Sequence, residues 1–304
     1  LYGDTFPASG DVVLSDVDAS GANGVIAELF TDPASTGRQL GRYLHAVGPT
    51  LGTLDATDDL VLGFLDNTAT DDHLFVLRGA GKHFSAGHDI GTPGRDIDKP
   101  FDRRSMWWDH TNKPGGAQYF VREQEVYLGM CRRWHDIPKP TIAMVQGACI
   151  AGGLMLAWVC DLIVASDDAF FQDPVVRMGI PGVEYFAHAH ELNPRVAKEF
   201  LYLGERMPAD RAYQMGMVNR VVPRAELEQR TYEWAAKIVQ QPRMGLALTK
   251  TVINRVEELQ GLRTTMDVAF GYHHFAHTHS QLLGAGTLGG QDAKSMVAGN
   301  KKQG

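Results

Sequence analysis

Thr141-Ile-Ala-Met-Val-Gln-Gly-Ala-Cys-Ile-Ala-Gly-Gly-Leu-Met-Leu-Ala157 is the stretch whose reading decides the fold. The apolar run Thr141–Val145 predicts a buried strand, Gly147 a turn, and Ala151-Gly152-Gly153 the opening of a helix. The first N–H groups of a helix have no partner within it, and they sit at the positive end of the helix dipole. Such a terminus is suited to hold a developing negative charge. Glycine at 152 lets a carbonyl approach the main chain without meeting a Cβ. The side chain one turn on is Met155, and a thioether carries no proton at neutral pH. An acid or base has to come from elsewhere.

Around this platform strands and helices alternate. His73–Arg78, Leu162–Ser166 and Phe170 onward read as strands, as does Val25–Phe30, while Gln118–Trp134 reads as a helix. Residues 37–67 suggest two short helices near Gly48-Pro49 and Asp55, and the chain to about Val256 reads as mostly helix, interrupted at Met217–Pro223. The alternation predicts an α/β architecture with parallel strands. Residues 1–23 are rich in Gly, Ser and Asp and read as loosely ordered, and 91–118 forms a long irregular insert carrying Trp107 and Trp108.

Bulk properties narrow the function classes. The chain has 304 residues and a formal charge of −7 with no Lys/Arg stripe, which argues against nucleic acid as a partner. No apolar run is long enough to span a bilayer, so no membrane partner is expected. Cys131, Cys149 and Cys160 show no CxxC spacing and read as reduced core thiols, which points to a cytoplasmic setting.

Five segments, in chain order, resemble the crotonase, or enoyl-CoA hydratase/isomerase, family. Lys82-His-Phe-Ser-Ala-Gly-His-Asp-Ile90 and Val145–Leu154 are similar to its two oxyanion-hole segments. Cys160-Asp-Leu-Ile-Val-Ala165, Met178-Gly-Ile-Pro-Gly182 and Leu203–Pro223 follow as the family's later motifs do. The first seventy residues match poorly: Ser35-Thr-Gly-Arg38 stands where the family has an Asn-Ala-Leu motif.

The resemblance implies a crotonase (ClpP-like) spiral of ββα units over residues 1–240, with a C-terminal helical and oligomerisation region at 241–304, assembled as a homo-trimer or hexamer. It implies an acyl-CoA substrate, with coenzyme A as part of that substrate and no separate cofactor. The thioester carbonyl would be held by the backbone N–H groups of His88 and Gly152, each donor worth roughly 3 kcal/mol in the transition state. The implied activity is that of a lyase or isomerase.

The departures from the family pattern bear on mechanism. Its hydratases place a glutamate where Met155 stands, and their second glutamate falls on Pro174. Glu184 and Asp173 are the candidate replacements as acid, base or nucleophile. Glu184 also reads as an ordinary first-turn glutamate, and Asp173 as a side chain turned from the pocket by the strand's alternation.

His188, four residues beyond Glu184, would share its helical face, or serve as a plain core histidine. Met155, Lys82, Ala86, Trp107, Trp108, His188 and Lys250 are the candidate substrate contacts, the two lysines toward CoA phosphates. His273 and His277 have a helical metal-binding spacing, but no third ligand is evident, so no metal is expected. Two other readings stay open: a non-catalytic acyl-CoA-binding protein of this fold, and a C–C hydrolase acting on a non-CoA carbonyl compound.

Overall fold

The computed structural model describes residues 11–13, 26–30, 60–67, 72–87, 116–284 and 289–290. Seven strands form the main sheet: β1 (Asp11–Val13), β2 (Ile26–Phe30), β3 (Leu60–Asn67), β4 (Asp72–Gly79), β5 (Thr141–Val145), β7 (Leu162–Ser166) and β10 (Arg220–Val222), side by side in that order. A second sheet of three short strands sets β6 (Ala148–Ile150) beside β8 (Phe170–Gln172) and β8 beside β9 (Met207–Pro208). From β4 to β10 the main sheet is parallel, with Phe75 opposite Thr141, Ile142 opposite Leu162 and Val164 opposite Arg220. The chain alternates between the sheets, β5 then β6 and β7 then β8, as the ββα spiral expected from the resemblance does.

Both faces of the central strands are covered, as a parallel sheet requires. Leu74, Val76, Ile142, Met144 and Val164 point to one layer, against Leu227, Ala235 and Val239 of the helix Leu227–Ile238 and its end. Their neighbours Phe75, Leu77, Ala143, Val145, Ile163 and Ala165 point to the other, which holds the helix Gly152–Trp158 and the larger core. This alternation explains why the strands read as continuous apolar runs. Each large side chain buried here contributes about 1.5–3 kcal/mol.

Residues 60–67, expected to belong to a helical segment, form β3 instead. It pairs antiparallel with β4 along its whole length, from Leu60 opposite Gly79 to Asn67 opposite Asp72. Leu60-Val-Leu-Gly-Phe-Leu is too short and β-branched or aromatic a run to distinguish strand from helix by period alone. The other helices expected within 37–59 lie outside the described residues.

Gln118–Trp134 is helical as expected, but not as one α-helix. Gly116–Glu123 and Gly129–His135 are joined by a π-helical stretch, Gln124–Leu128. The helix Leu262–Leu282 closes the described fold and lays Ala276 against Met178 and Ile180.

Candidate functional site: the head of the Gly152 helix

Two chain segments meet where the helix Gly152–Trp158 begins. The first leaves β4 and runs through Lys82–Gly87. Buried Gln146 holds it in place, its Nε2 donating to the carbonyl of Gly79 at 2.6 Å. Ser85 bridges to Cys149, with Ile150 N–H donating to Ser85 O at 2.9 Å. Gly87 then turns with φ of 91°, close enough to the second segment that a Cβ there would lie 3.0 Å from Gly152 N. At Gly153 a Cβ would stand 2.5 Å from the carbonyl oxygen of Ser85. Glycine at these two positions is therefore what lets the segments touch.

Ala151, just before the helix, has φ of 49° and ψ of −112°. Among the described residues it is the non-glycine residue with positive φ. An L-residue held there stores on the order of 1–3 kcal/mol, and such strain gathers at functional sites. Its N–H is satisfied by Gln172 O at 3.0 Å. The next amide, that of Gly152, donates to no backbone carbonyl among the described residues. The strained residue thus turns a main-chain donor out of the ladder, beside Gly87.

Asp173 follows Gln172 directly and is fully buried. Its Oδ1 accepts from Val175 N–H at 3.2 Å, and its Oδ2 from Val183 N–H at 3.2 Å. Oδ2 also lies 2.8 Å from His188 Nε2, and His188 is likewise fully buried. Because a carboxylate only accepts, we assign the Nε2–H tautomer to His188. Among the described residues its buried Nδ1 has no hydrogen-bond partner, under the rings of Trp158 and Phe186 at 4.8 and 4.5 Å.

The chain and its fold have known relatives. A sequence model of the enoyl-CoA hydratase/isomerase family matches residues 111–288. The chain belongs to that family. It is 40% identical over 208 residues to the provisionally named enoyl-CoA hydratase EchA13 of Mycobacterium tuberculosis, an alignment covering 67% of this chain and 65% of the relative. A short-chain-enoyl-CoA hydratase of Clostridium acetobutylicum is 31% identical over 220 residues, covering 70% of this chain and 74% of the relative. A solved structure of a probable enoyl-CoA hydratase from Mycobacterium smegmatis superposes with a TM-score of 0.66 at 33% identity, over 92% of this chain and 98% of that one.

Within this hydratase/isomerase chain the sequence-derived candidates separate. Gly152, Gly87 and the exposed Ala86 come together, with the exposed Lys82 on the same segment. His88, Trp107 and Trp108 lie outside the described residues. Met155 is 4% exposed and packed in the main core. Glu184 is 6% exposed and, among the described residues, makes no side-chain hydrogen bond or ion pair. It sits in a bend one residue after Val183, whose amide Asp173 holds, and near the Cys131 thiol. Burial and then the Glu184 charge push that thiol up. Cys149 and Cys160 are also buried and free, and burial raises both, Cys160 to about 12, so none of the three is a ready nucleophile.

Three expectations need correction. Glu184 and His188 do not share a helical face, because the helix there is only His188–Glu191 and Glu184 precedes it. Asp173 is not free, since three donors occupy its carboxylate. His188 faces Asp173 and the rings of Trp158 and Phe186, the plain core histidine of its alternative reading.

Lys250 also moves. Only 8% exposed, it gives its Nζ to Lys139 O and to Asp161 Oδ2, both at 3.0 Å. Its charge is spent inside the protein, where the helix Arg243–Leu259 crosses the start of β5. Asp161 anchors the start of β5 as well, accepting also from Thr141 N at 2.7 Å and Thr141 Oγ1 at 3.0 Å.

Proposed function

We propose that the chain is an enzyme acting on an acyl-CoA thioester, with the backbone N–H groups of Gly152 and His88 stabilising an enolate. The observation that carries this reading is the strained Ala151, which leaves the Gly152 amide beside Gly87 with no backbone acceptor. As a proton leaves the α-carbon, or a nucleophile adds to the β-carbon, negative charge collects on the thioester oxygen. Fixed donors aimed at that oxygen stabilise the transition state more than the ground state, by roughly 3 kcal/mol per donor.

The acid or base is assigned to Glu184 rather than Asp173. Asp173 is held by three donors, whereas Glu184 is buried without an ion pair among the described residues and follows the turn that Asp173 fixes. In this reading Asp173 and His188 position the Glu184 turn. Lys82 and Ala86 line the CoA side, Met155 forms an apolar wall, and Trp107 and Trp108 contribute to the acyl pocket. Coenzyme A enters as part of the substrate, and no separate cofactor is assigned. No described helix is long and apolar enough to cross a membrane.

Residues 1–240 are assigned as the catalytic core and 241–304 as the region of self-association. Exposed Met244, Leu248, Val252, Val256 and Leu259 recur along one helix as a stripe, and a homo-trimer or hexamer would cover it.

A second reading, an acyl-CoA-binding protein without turnover, draws on Met155, Pro174 and the occupied Asp173. Mass spectrometry across a panel of acyl-CoA thioesters separates the two. Our reading expects a product with at least one thioester, and loss of that product in Glu184→Gln with thioester binding retained. Binding without any product would favour the second reading, and unchanged turnover in Glu184→Gln would remove Glu184 from the mechanism.

A further inference from the structure

The third ligand that the His273/His277 spacing lacked lies 150 residues away. Glu123 is the last residue of the helix Gly116–Glu123, at the point where the chain widens into the π-helical stretch Gln124–Leu128. Such widenings redirect side chains and are frequent at functional sites. Here Glu123 Oε2 comes within 3.5 Å of His273 Nε2, and His277 Nε2 lies 3.1 Å from the same nitrogen. The ligand atoms of Glu123, His273 and His277 all fall within 4.8 Å of one another.

The tautomer of His273 follows from its other nitrogen. Nδ1 is 3.2 Å from the carbonyl oxygen of Gly182, which can only accept, so Nδ1 carries the proton. Nε2 is then unprotonated and aimed into the cluster, where it accepts from His277 Nε2, and the ring is held through Nδ1 as metal-ligating histidines are. Glu123 is 8% exposed, and its Oε2 is buried. His274 Nε2 stands 3.0 Å from that oxygen and donates to it. Phe120 and Phe270 pack on the His274 ring at 4.8 and 4.6 Å and fix it there. One carboxylate and two imidazoles therefore converge from two helices.

We propose that Glu123, His273 and His277 form a binding site for a divalent transition-metal ion, zinc before others. Zinc takes nitrogen and oxygen ligands at about 2.0–2.2 Å, which puts tetrahedral ligands about 3.4 Å apart. The His273 separations from Glu123 and His277 are 3.5 and 3.1 Å, and all three ligand atoms lie within 4.8 Å. Two imidazoles and one carboxylate suit zinc better than calcium or magnesium, which ask for oxygen shells. Gly182 O and His274 supply the outer contacts to His273 and Glu123. Gly182 leads directly into Val183 and Glu184, so the ion would pin the helix Leu262–Leu282 to the turn that carries Glu184.

The test needs no activity. The full chain is stripped with a chelator, dialysed and titrated with Zn²⁺ by calorimetry, and Co²⁺ is used as a visible-absorption probe of ligand geometry. The expected result is one saturable ion per chain and a Co²⁺ spectrum of low coordination number. Glu123→Gln and His277→Gln should each lower the affinity at least 10-fold with the circular dichroism unchanged, whereas the exposed His279→Ala should not. Absence of a saturable site, or equal affinity in the folded Glu123→Gln and His277→Gln variants, overturns the proposal. If a variant fails to fold, an octahedral Co²⁺ spectrum of the unmutated chain, or none, also overturns it.

Discussion

Asp173 Oδ2 lies 2.8 Å from His188 Nε2, with both side chains fully buried. The pair sits between Gln172, whose carbonyl holds the Ala151 amide, and Val183, whose amide Asp173 holds. Removing one partner of such a pair leaves an uncompensated buried group and costs about 3–5 kcal/mol. Asp173→Ala should therefore lower the unfolding free energy by that order in urea denaturation. Asp173→Asn, which keeps an acceptor for two of the donors, should lose less and retain turnover. A stable Asp173→Asn protein without turnover would return Asp173 to the chemistry.

Lys250 gives a contrasting prediction. Since its ammonium is held by Asp161 and Lys139 O, Lys250→Met should destabilise the fold by about 1–3 kcal/mol. Affinity for coenzyme A, read by calorimetry in the folded variant, should stay within about twofold of the parent. A tenfold weakening with no loss of stability would mean that the lysine reaches the phosphates after all.

Gly153→Ala tests the contact between the two segments at the helix head. The added Cβ meets the Ser85 carbonyl at 2.5 Å, and backbone cannot swing aside as a long side chain can. Overpacking of this kind costs about 1–3 kcal/mol. The expected outcome is a lower melting temperature together with a fall of kcat, because the 85–87 segment is pushed from the Gly152 amide. Unchanged kinetics would show that the two segments need not touch.

The pH dependence of stability has a defined sign at Glu191 and His135. Burial, reinforced by the Glu257 charge, pushes the Glu191 carboxyl up to about 8. Burial alone would lower His135, but hydrogen bonds to Asp136 and Glu257 outweigh it and raise the ring to about 9. Both groups bind protons more tightly folded than unfolded. Their stabilisation is full at low pH and is lost as pH rises, through about 8 for Glu191 and about 9 for His135. Glu191→Gln should therefore gain in melting temperature relative to the parent as pH is raised from about 5 to 9. A constant difference between the two proteins would refute the assignment.

Much of the fold was legible because its period is local. Thr141–Val145 and Leu162–Ser166 are apolar on both faces, and that pattern is itself the mark of a covered parallel strand. Residues 60–67 were misread because a short apolar run fits either period, and only the partner strand Asp72–Gly79 decides it. The helix head was legible down to Gly152, since glycines and a strand–turn–helix order leave a signature in the chain. Partnerships across long separations were not. Nothing near Asp173 announces His188, nothing near Lys250 announces Asp161, and Glu123 is joined to His273 only by a change of helical pitch at Gln124.

The central claim is that the Gly152 amide polarises a thioester carbonyl. The measurement that tests it most directly is the C=O stretch of a carbonyl-¹³C acyl-CoA, read by difference infrared on the bound complex. The account predicts a stretch moved to lower frequency than in water, because two fixed N–H donors pull charge onto the oxygen. A bound thioester whose carbonyl stretch stays at its solution value would contradict it.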